Sequence, residues 1–247
     1  MIVTNNNIII FYNGSIIDYT TPIVLNGLVL YLDAGNPLSY PGTGTIWTDL
    51  SNFGNNGTLI NGPTFNSGNG GNIVFDGTND FVTCGTAIGK LPNFTISCWI
   101  KPNAWNNCGI VFSSNIGGSQ GRTHWGLWGR VNGNIEIYVS NGTSFQAANT
   151  TLPWSSVEVP NTNFTNITIT VDGTNIKLFK NSVQIGSNIT QTIQQSGISY
   201  DLCIGKNAAD SGYFYNGSVA QTLIYNRALL STEILENYNA TKSRFGL

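Results

Sequence analysis

Charge is what this sequence has least of. Only 9% of its 247 residues are Asp, Glu, Lys or Arg, against about a quarter in an ordinary globular domain. The ten basic residues are scattered, with no stripe or run, and the formal net charge is −2. Nucleic acid needs clustered cations to neutralise its phosphates, so it is excluded as a partner. One histidine and four cysteines without a CxxC pair leave little material for a zinc site. The four, Cys84, Cys98, Cys108 and Cys203, lie in or near apolar strand patterns and read as buried free thiols. A Cys98–Cys108 bridge is the alternative, and spacing does not decide between them. No apolar run approaches the roughly 18 residues of a membrane span. Met1 is followed by Ile-Val-Thr-Asn-Asn-Asn, without a basic segment or a small-residue cleavage site. The expectation is a chain made soluble in the cytoplasm, with no signal peptide and no membrane partner.

Catalytic pairs are also scarce. A glycan hydrolase needs two carboxylates flanking the scissile bond. The glutamates are Glu136, Glu158, Glu233 and Glu236, and none has an acidic neighbour two residues away. A hydrolase would have to work through Glu136 or Glu158, since Glu233 and Glu236 fall in a predicted terminal helix. A Ser/His/Asp triad would depend on His124, which stands beside Trp125, and no G-x-S-x-G elbow is present. The reading is therefore of a protein that is not an enzyme, with catalytic residues: none.

What is abundant is turn chemistry. Twenty-nine glycines and repeated Asn-Gly pairs supply the positive φ that tight hairpins require. Between the turns, residues alternate with period two. Phe94, Ile96, Cys98 and Ile100 interleave with Thr95, Ser97, Trp99 and Lys101. The same alternation recurs at Ile135/Ile137/Val139, Ile167/Ile169/Val171 and Ile198/Tyr200/Leu202/Ile204. Leu28–Asp33 reads as a strand, and Asp172-Gly173 and Lys180-Asn181 as hairpin turns. Residues 231–243 form the helix candidate, with Ser231 as N-cap and Glu233 in the first turn, where negative charge suits the helix dipole. Many short strands with one helix predict an all-β antiparallel sandwich or jelly roll. Residues 1–26 stand apart as an arm. Ile8, Ile9, Ile10, Phe11 and Tyr12 run into Asn13-Gly14, and Ile16, Ile17 and Tyr19 follow, which predicts a hairpin that needs something to lie on.

Several landmarks recur in order from Gly27 onward: Gly27-Leu28-Val29-Leu30-Tyr31-Leu32-Asp33, Asp49-Leu50-Ser51 and Asn55-Asn56-Gly57-Thr58-Leu59. Then come Phe75-Asp76-Gly77-Thr78-Asn79-Asp80-Phe81-Val82, Phe94-Thr95-Ile96-Ser97-Cys98-Trp99-Ile100-Lys101-Pro102, Tyr213-Phe214-Tyr215-Asn216-Gly217-Ser218-Val219 and Asn226-Arg227-Ala228-Leu229. Together they resemble laminin G-like, concanavalin A-like jelly-roll domains over residues 27–247. Residues 31–42 and 233–246 resemble the versions of this domain found in structural proteins of tailed phages. One departure is visible. Many relatives carry a Trp-His pair before the penultimate hairpin, and here that region reads Phe164-Thr165-Asn166-Ile167-Thr168.

The resemblance implies a non-enzymatic virion protein, a capsid decoration or fibre component, on the virion surface and attached through its arm. Its partners would be other virion proteins, capsid or fibre subunits, in a homo-oligomer or lattice-bound array. The alternative is a lectin-like adhesin binding host-surface glycans. Sugar platforms are exposed aromatics, and Trp105 and Trp154, set among polar and turn residues, are the candidates. Trp99 is expected on the face opposite Phe94 and Ile96, and Trp125 and Trp128 on opposite faces of their strand. No cofactor is required. Structural calcium is the open question, because some lectin-like relatives hold it at their loops. Asp76, Asn79 and Asp80 form one oxygen-rich turn, and Asp33 with Asn36 another; the competing reading is that these side chains cap their own turns.

Overall fold

The computed structural model describes residues 2–4, 7–12, 15–19, 23–88, 91–114, 123–140, 145–147, 159–190, 201–207 and 212–247. Two large antiparallel sheets face each other across an apolar core, the sandwich that the alternation predicts and the concanavalin A-like type that the resemblance implies. Sheet I contains β4 (Leu28–Asp33), β7 (Thr64–Asn66), β8 (Asn72–Asp76), β10 (Asn93–Ala104), β15 (Thr165–Asp172), β16 (Asn175–Lys180), β17 (Val183–Thr190) and β19 (Asn216–Tyr225). Its order is β17-β16-β15-β10-β19-β8-β7, with β4 alongside the second half of β19. Sheet II contains β5 (Ile46–Trp47), β6 (Gly57–Ile60), β9 (Phe81–Thr83), β11 (Cys108–Ser114), β12 (Thr123–Gly129), β13 (Ile135–Ser140), β14 (Phe145–Ala147) and β18 (Leu202–Ile204). Its order is β14-β13-β12-β11-β18-β9-β6-β5.

The core comes from the inward half of each alternation. Phe94, Ile96, Cys98 and Ile100 of β10 meet Trp125 and Leu127 of β12, and Phe94 and Trp125 pack ring to ring with centroids 5.3 Å apart. Turn chemistry follows the sequence. Gly173 has a φ of 85° between β15 and β16, and Asn181 and Ser182, at 49° and 66°, turn β16 into β17. Two consecutive positive φ values make the hairpin turn whose twist matches its strands. All four cysteines are free and buried. Loss of hydration pushes the Cys98, Cys108 and Cys203 thiols up to about 12 and Cys84 higher still.

The helix α1 spans Ser231–Thr241, and a 3-10 turn continues through Lys242–Phe245. Ser231 is its first helical residue rather than its N-cap; Leu230 takes that position with extended backbone. The side chain that serves the terminus is Glu233, whose Oε2 accepts the Leu230 N–H at 2.8 Å and whose carboxylate meets Arg227 through two bonds of 2.6 and 2.8 Å. This C-terminal segment lies across the outer face of sheet I. Trp99 is fully buried there, stacked on Phe245 with centroids 4.1 Å apart and donating its indole N–H to Thr241 Oγ1 at 2.8 Å. Phe164, in the segment that departs from many relatives in sequence, is buried and packs against Phe245 at 4.9 Å.

At the other end of the chain, β1 (Ile2–Thr4), β2 (Asn7–Tyr12) and β3 (Ser15–Tyr19) form a separate three-stranded sheet. Residues 23–26, read from the sequence as the end of the arm, lie against the sandwich. Ile23 joins the apolar cluster under α1, the Val24 N–H donates to Asn237 Oδ1 at 2.9 Å, and the Asn26 carbonyl accepts from Arg227 Nε. No helix among the described residues is long and apolar enough to cross a membrane.

Candidate functional site

With the outer face of sheet I covered around Trp99 by the C-terminal segment, the outer face of sheet II is the candidate surface. Alternation in β12 and β13 builds its centre. Trp125 and Leu127 point into the core, which sends Trp128 outward. Ile135, Ile137 and Val139 do the same for Glu136 and Tyr138. Trp128 and Tyr138 form a small cluster of their own, edge to face with centroids 5.6 Å apart. Tyr213, 48% exposed, leans over Trp128 at 5.1 Å. Its φ of 65° is unusual for an aromatic residue, and such backbone costs of order 1–3 kcal/mol unless the surroundings enforce it. The Gly109 N–H, donated to the Tyr213 carbonyl at 3.0 Å, is one such constraint.

A polar group caps this aromatic floor. Arg130 donates from Nε and Nη2 to Glu136 Oε2, each at 2.7 Å. Arg130 Nη2 also donates to the Tyr138 hydroxyl, and that hydroxyl donates to Glu136 Oε2 at 3.0 Å. The guanidinium lies near the Trp128 ring, 5.9 Å from its centroid. Burial, followed by the charge of Glu136, pushes the Tyr138 phenol up to about 12, so it stays a neutral donor across the ordinary pH range. Trp128 and Tyr138 are themselves buried, 7% and 5% exposed, so what the arrangement presents is the Tyr213 ring above them and the edge of Arg130. Such a surface can stack on an apolar ring face and bond to hydroxyls around its rim.

The sequence candidates fall elsewhere. Trp105 is half-buried, packed against the main core; its indole N–H donates to the Val159 carbonyl at 3.1 Å. A side chain at Gly129 would strike its ring at 2.4 Å. Trp154 and Glu158 lie outside the described residues, and so does the side chain of His124. Glu136 is committed to Arg130 and Tyr138. Asp76 Oδ1 accepts the Thr78 and Asn79 N–H groups at 2.7 and 3.3 Å, and Asp80 Oδ2 accepts the Asp76 N–H at 3.1 Å. Those bonds, the Thr78 N–H above all, hold the Asp76 carboxyl below its ordinary value, whereas burial raises that of Asp80. In this turn the carboxylates serve their own backbone, in the manner of Asx turns. Asn79 offers its carbonyl to the Asn61 side chain.

At the second oxygen-rich turn the cation is already present and comes from the protein. Arg244 Nη1 meets both oxygens of Asp33 at 2.7 and 2.9 Å, while the Asn36 side chain caps the Leu38 N–H. Of the two alternatives the sequence left open at this turn, the Asn36 side chain takes the turn-capping one, and a guanidinium from residue 244 engages the Asp33 carboxylate. Among the described residues, no cluster of three or more His, Cys, Asp or Glu side chains is gathered as for a metal. The arm residues Ile8, Ile9, Ile10, Phe11, Tyr12, Ile16, Ile17 and Tyr19 all lie on β2 and β3. Sequence reasoning missed Arg130, Tyr138 and Tyr213. The available signal was the spacing of Trp125 and Trp128, which forces one of the two outward.

Comparison with known proteins agrees with this architecture. A family profile described as the concanavalin A-like lectin/glucanases superfamily matches residues 76–235. Among solved structures, domain 4 of AbnA, an extracellular arabinanase of Geobacillus stearothermophilus, in complex with arabinotriose, superposes with a TM-score of 0.64. It shares 16% identity over 85% of this chain and 98% of that one. The sialidase of Trypanosoma rangeli in complex with sialic acid superposes at 0.63, with 13% identity over 89% of this chain. The binding domain of Paraclostridial Mosquitocidal Protein 1 gives 0.60, with 20% identity over 87% of this chain. The chain spans 34% of the sialidase and 52% of the mosquitocidal binding domain. A search of curated proteins finds no match.

Proposed function

The chain belongs to the concanavalin A-like lectin/glucanases superfamily, and from that premise we propose that it is a non-catalytic carbohydrate-binding module acting through the outer face of sheet II. The observation that carries this reading is the half-exposed ring of Tyr213 seated over the buried Trp128 and Tyr138, bordered by the partly exposed Arg130–Glu136 pair. Aromatic faces with a satisfied polar rim suit the alternating apolar faces and hydroxyl edges of a sugar. The commitment of Glu136 to Arg130 and Tyr138 supports recognition over acid–base work. The sugar complexes of the arabinanase domain and the sialidase are in keeping with it. The test is a glycan array with the whole chain, repeated with Tyr213→Ala and Arg130→Ala. Binding by the wild type and a loss of at least tenfold in both variants are expected. Absence of binding to every glycan, or unchanged binding in both variants, overturns the reading.

The arm supports a compatible second reading, in which the module is displayed on a larger assembly such as a virion. Strand register places Val3, Ile8, Ile10, Tyr12, Ile17 and Tyr19 on one face of the small sheet, and Ile2, Ile9, Phe11 and Ile16 on the other. Antiparallel sheets ordinarily keep one face polar. A small sheet with one largely apolar face and apolar residues beside Asn7 and Asp18 on the other is suited to insertion between neighbours, and its edges are suited to strand addition. Deleting residues 1–22, and sparing Ile23, should abolish attachment in antibody-gold images of native particles while glycan binding persists. Full attachment of the deletion variant sinks this reading.

A further inference from the structure

A shallow recess of about 470 Å³ lies on sheet II away from the aromatic cluster; its lining mixes Asn56, Thr58, Thr83, Thr86 and Asp201 with Cys84 and Ala87. Neither an aromatic ring nor a cation lines it. Asp201 is exposed and accepts a hydrogen bond from Thr83 Oγ1 at 2.8 Å. Gly54 and Gly85 border the recess with φ of 74° and 70°, and the space a Cβ would occupy at either is open.

The strand register ties this recess to the aromatic cluster. Thr58 pairs with Thr83, Thr83 with Cys203, Cys203 with Phe112, Phe112 with Gly126, and Gly126 with Tyr138. Directly paired residues in an antiparallel sheet share a face. One cross-strand row therefore runs from the recess to the phenol of the aromatic cluster. From Thr83 to Tyr138 it crosses four strand spacings, roughly 19 Å at about 4.8 Å each. That distance exceeds one sugar ring several times over. Gly126, next to Tyr138 in the row, contributes no side chain to the path between the two ends.

The chemistry at the two ends differs. The Tyr138 end offers the half-exposed ring of Tyr213 over two buried aromatics and a guanidinium already engaged by Glu136. The recess offers hydroxyls, an amide and a carboxylate, a set that exchanges hydrogen bonds with vicinal hydroxyls and disfavours an anion. We propose that the recess is a second sugar subsite, and that the face binds a linear chain of neutral sugars laid across the strands from Tyr138 to Asp201. The proposal rests on the carbohydrate-binding reading above and goes beyond it in naming a chain-length requirement and a polar end.

Titration calorimetry on the full chain with malto-, cello- and xylo-oligosaccharides of one to six units tests it. In at least one series, affinity should rise as the ligand becomes long enough to reach both ends. Asp201→Asn and Thr83→Val should each remove about tenfold of the affinity for the longest ligand, the size of one charge-assisted hydrogen bond. Both should leave the shortest bound ligand unaffected. These side chains are exposed or half-exposed, so unchanged thermal melts are expected to accompany the loss. Asn56 is left alone because its Oδ1 holds the Asp49 N–H at 2.9 Å. Equal affinity for short and long ligands, or wild-type affinity of both variants for the longest, overturns the subsite while leaving the aromatic site standing. Failure of every oligosaccharide to bind overturns both.

Discussion

Trp99 and Trp128 each stand on the outward side of an interior strand, one in each sheet; both are buried, and what covers them differs. Trp99 is sealed beneath Phe245 and Tyr238, with its N–H used by Thr241. Its polar neighbours on sheet I are sealed too. Ser97, Asn166 and Thr168 bond among themselves at 2.8–3.2 Å, and Thr95 Oγ1 donates to the Arg227 carbonyl and accepts from the Leu229 N–H. Trp128 has a half-exposed tyrosine above it and an ion pair at its rim. The C-terminal segment covers Trp99 on sheet I, whereas among the described residues the rings next to Trp128 on sheet II are Tyr138 and the half-exposed Tyr213. A polar residue on an outward face is thus no sign of solvent; what matters is whether a later segment covers it.

Three substitutions sharpen or break that contrast. The largest effect is expected from Trp99→Ala, which empties the space under the C-terminal turn. It should cost about 3–5 kcal/mol of stability, read as a lower Tm, while the folded fraction binds oligosaccharide normally. Next comes Tyr138→Phe, which removes one hydroxyl from the rim. Affinity should fall several-fold while stability changes by about 1 kcal/mol or less, measured by calorimetry and melting on one preparation. If Tyr138→Phe destabilised the fold as much as Trp99→Ala, the two faces would not differ in role. The smallest is Glu233→Gln at the start of α1. Arg227 holds the Glu233 carboxyl below its ordinary value of 4.5, so its stabilisation is present above that value and is lost as pH falls through the lowered one. Wild type should exceed the variant by about 1 kcal/mol or less at neutral pH, and their melts should converge in acid. A gap that persisted at low pH would contradict the ion pair.

The fold was legible because its signals are local. Period-two alternation placed β10, β13 and β15, and Asp172-Gly173 and Lys180-Asn181 marked their turns. The site was not legible, because its determinants are separated along the chain. The polar sequence around Trp105 suggested exposure, but Gly129 and Val159 arrive from elsewhere and hold the ring. Asp33 looked like a metal ligand because nothing near it in sequence announces Arg244, 211 residues away. The Ser231 cap failed for a smaller reason. Glu233 could satisfy the Leu230 N–H while also holding Arg227, which sets the helix start one residue earlier.

The position of β19 also bears on how the protein can be made. This strand, Asn216–Tyr225, is hydrogen-bonded to β10 on one side and to β4 and β8 on the other. Among the described residues, β4 has no other strand partner. The first strand of the sandwich therefore waits for a segment far downstream in the chain to leave the ribosome. Until then sheet I is split, with β4 unpaired and its apolar faces open to other chains, a state that invites aggregation. Slow non-local closure of this kind makes a nascent chain stalled before residue 216 a hazard to its neighbours, and it gives a long-lived ribosome-bound intermediate that chaperones would be expected to recognise.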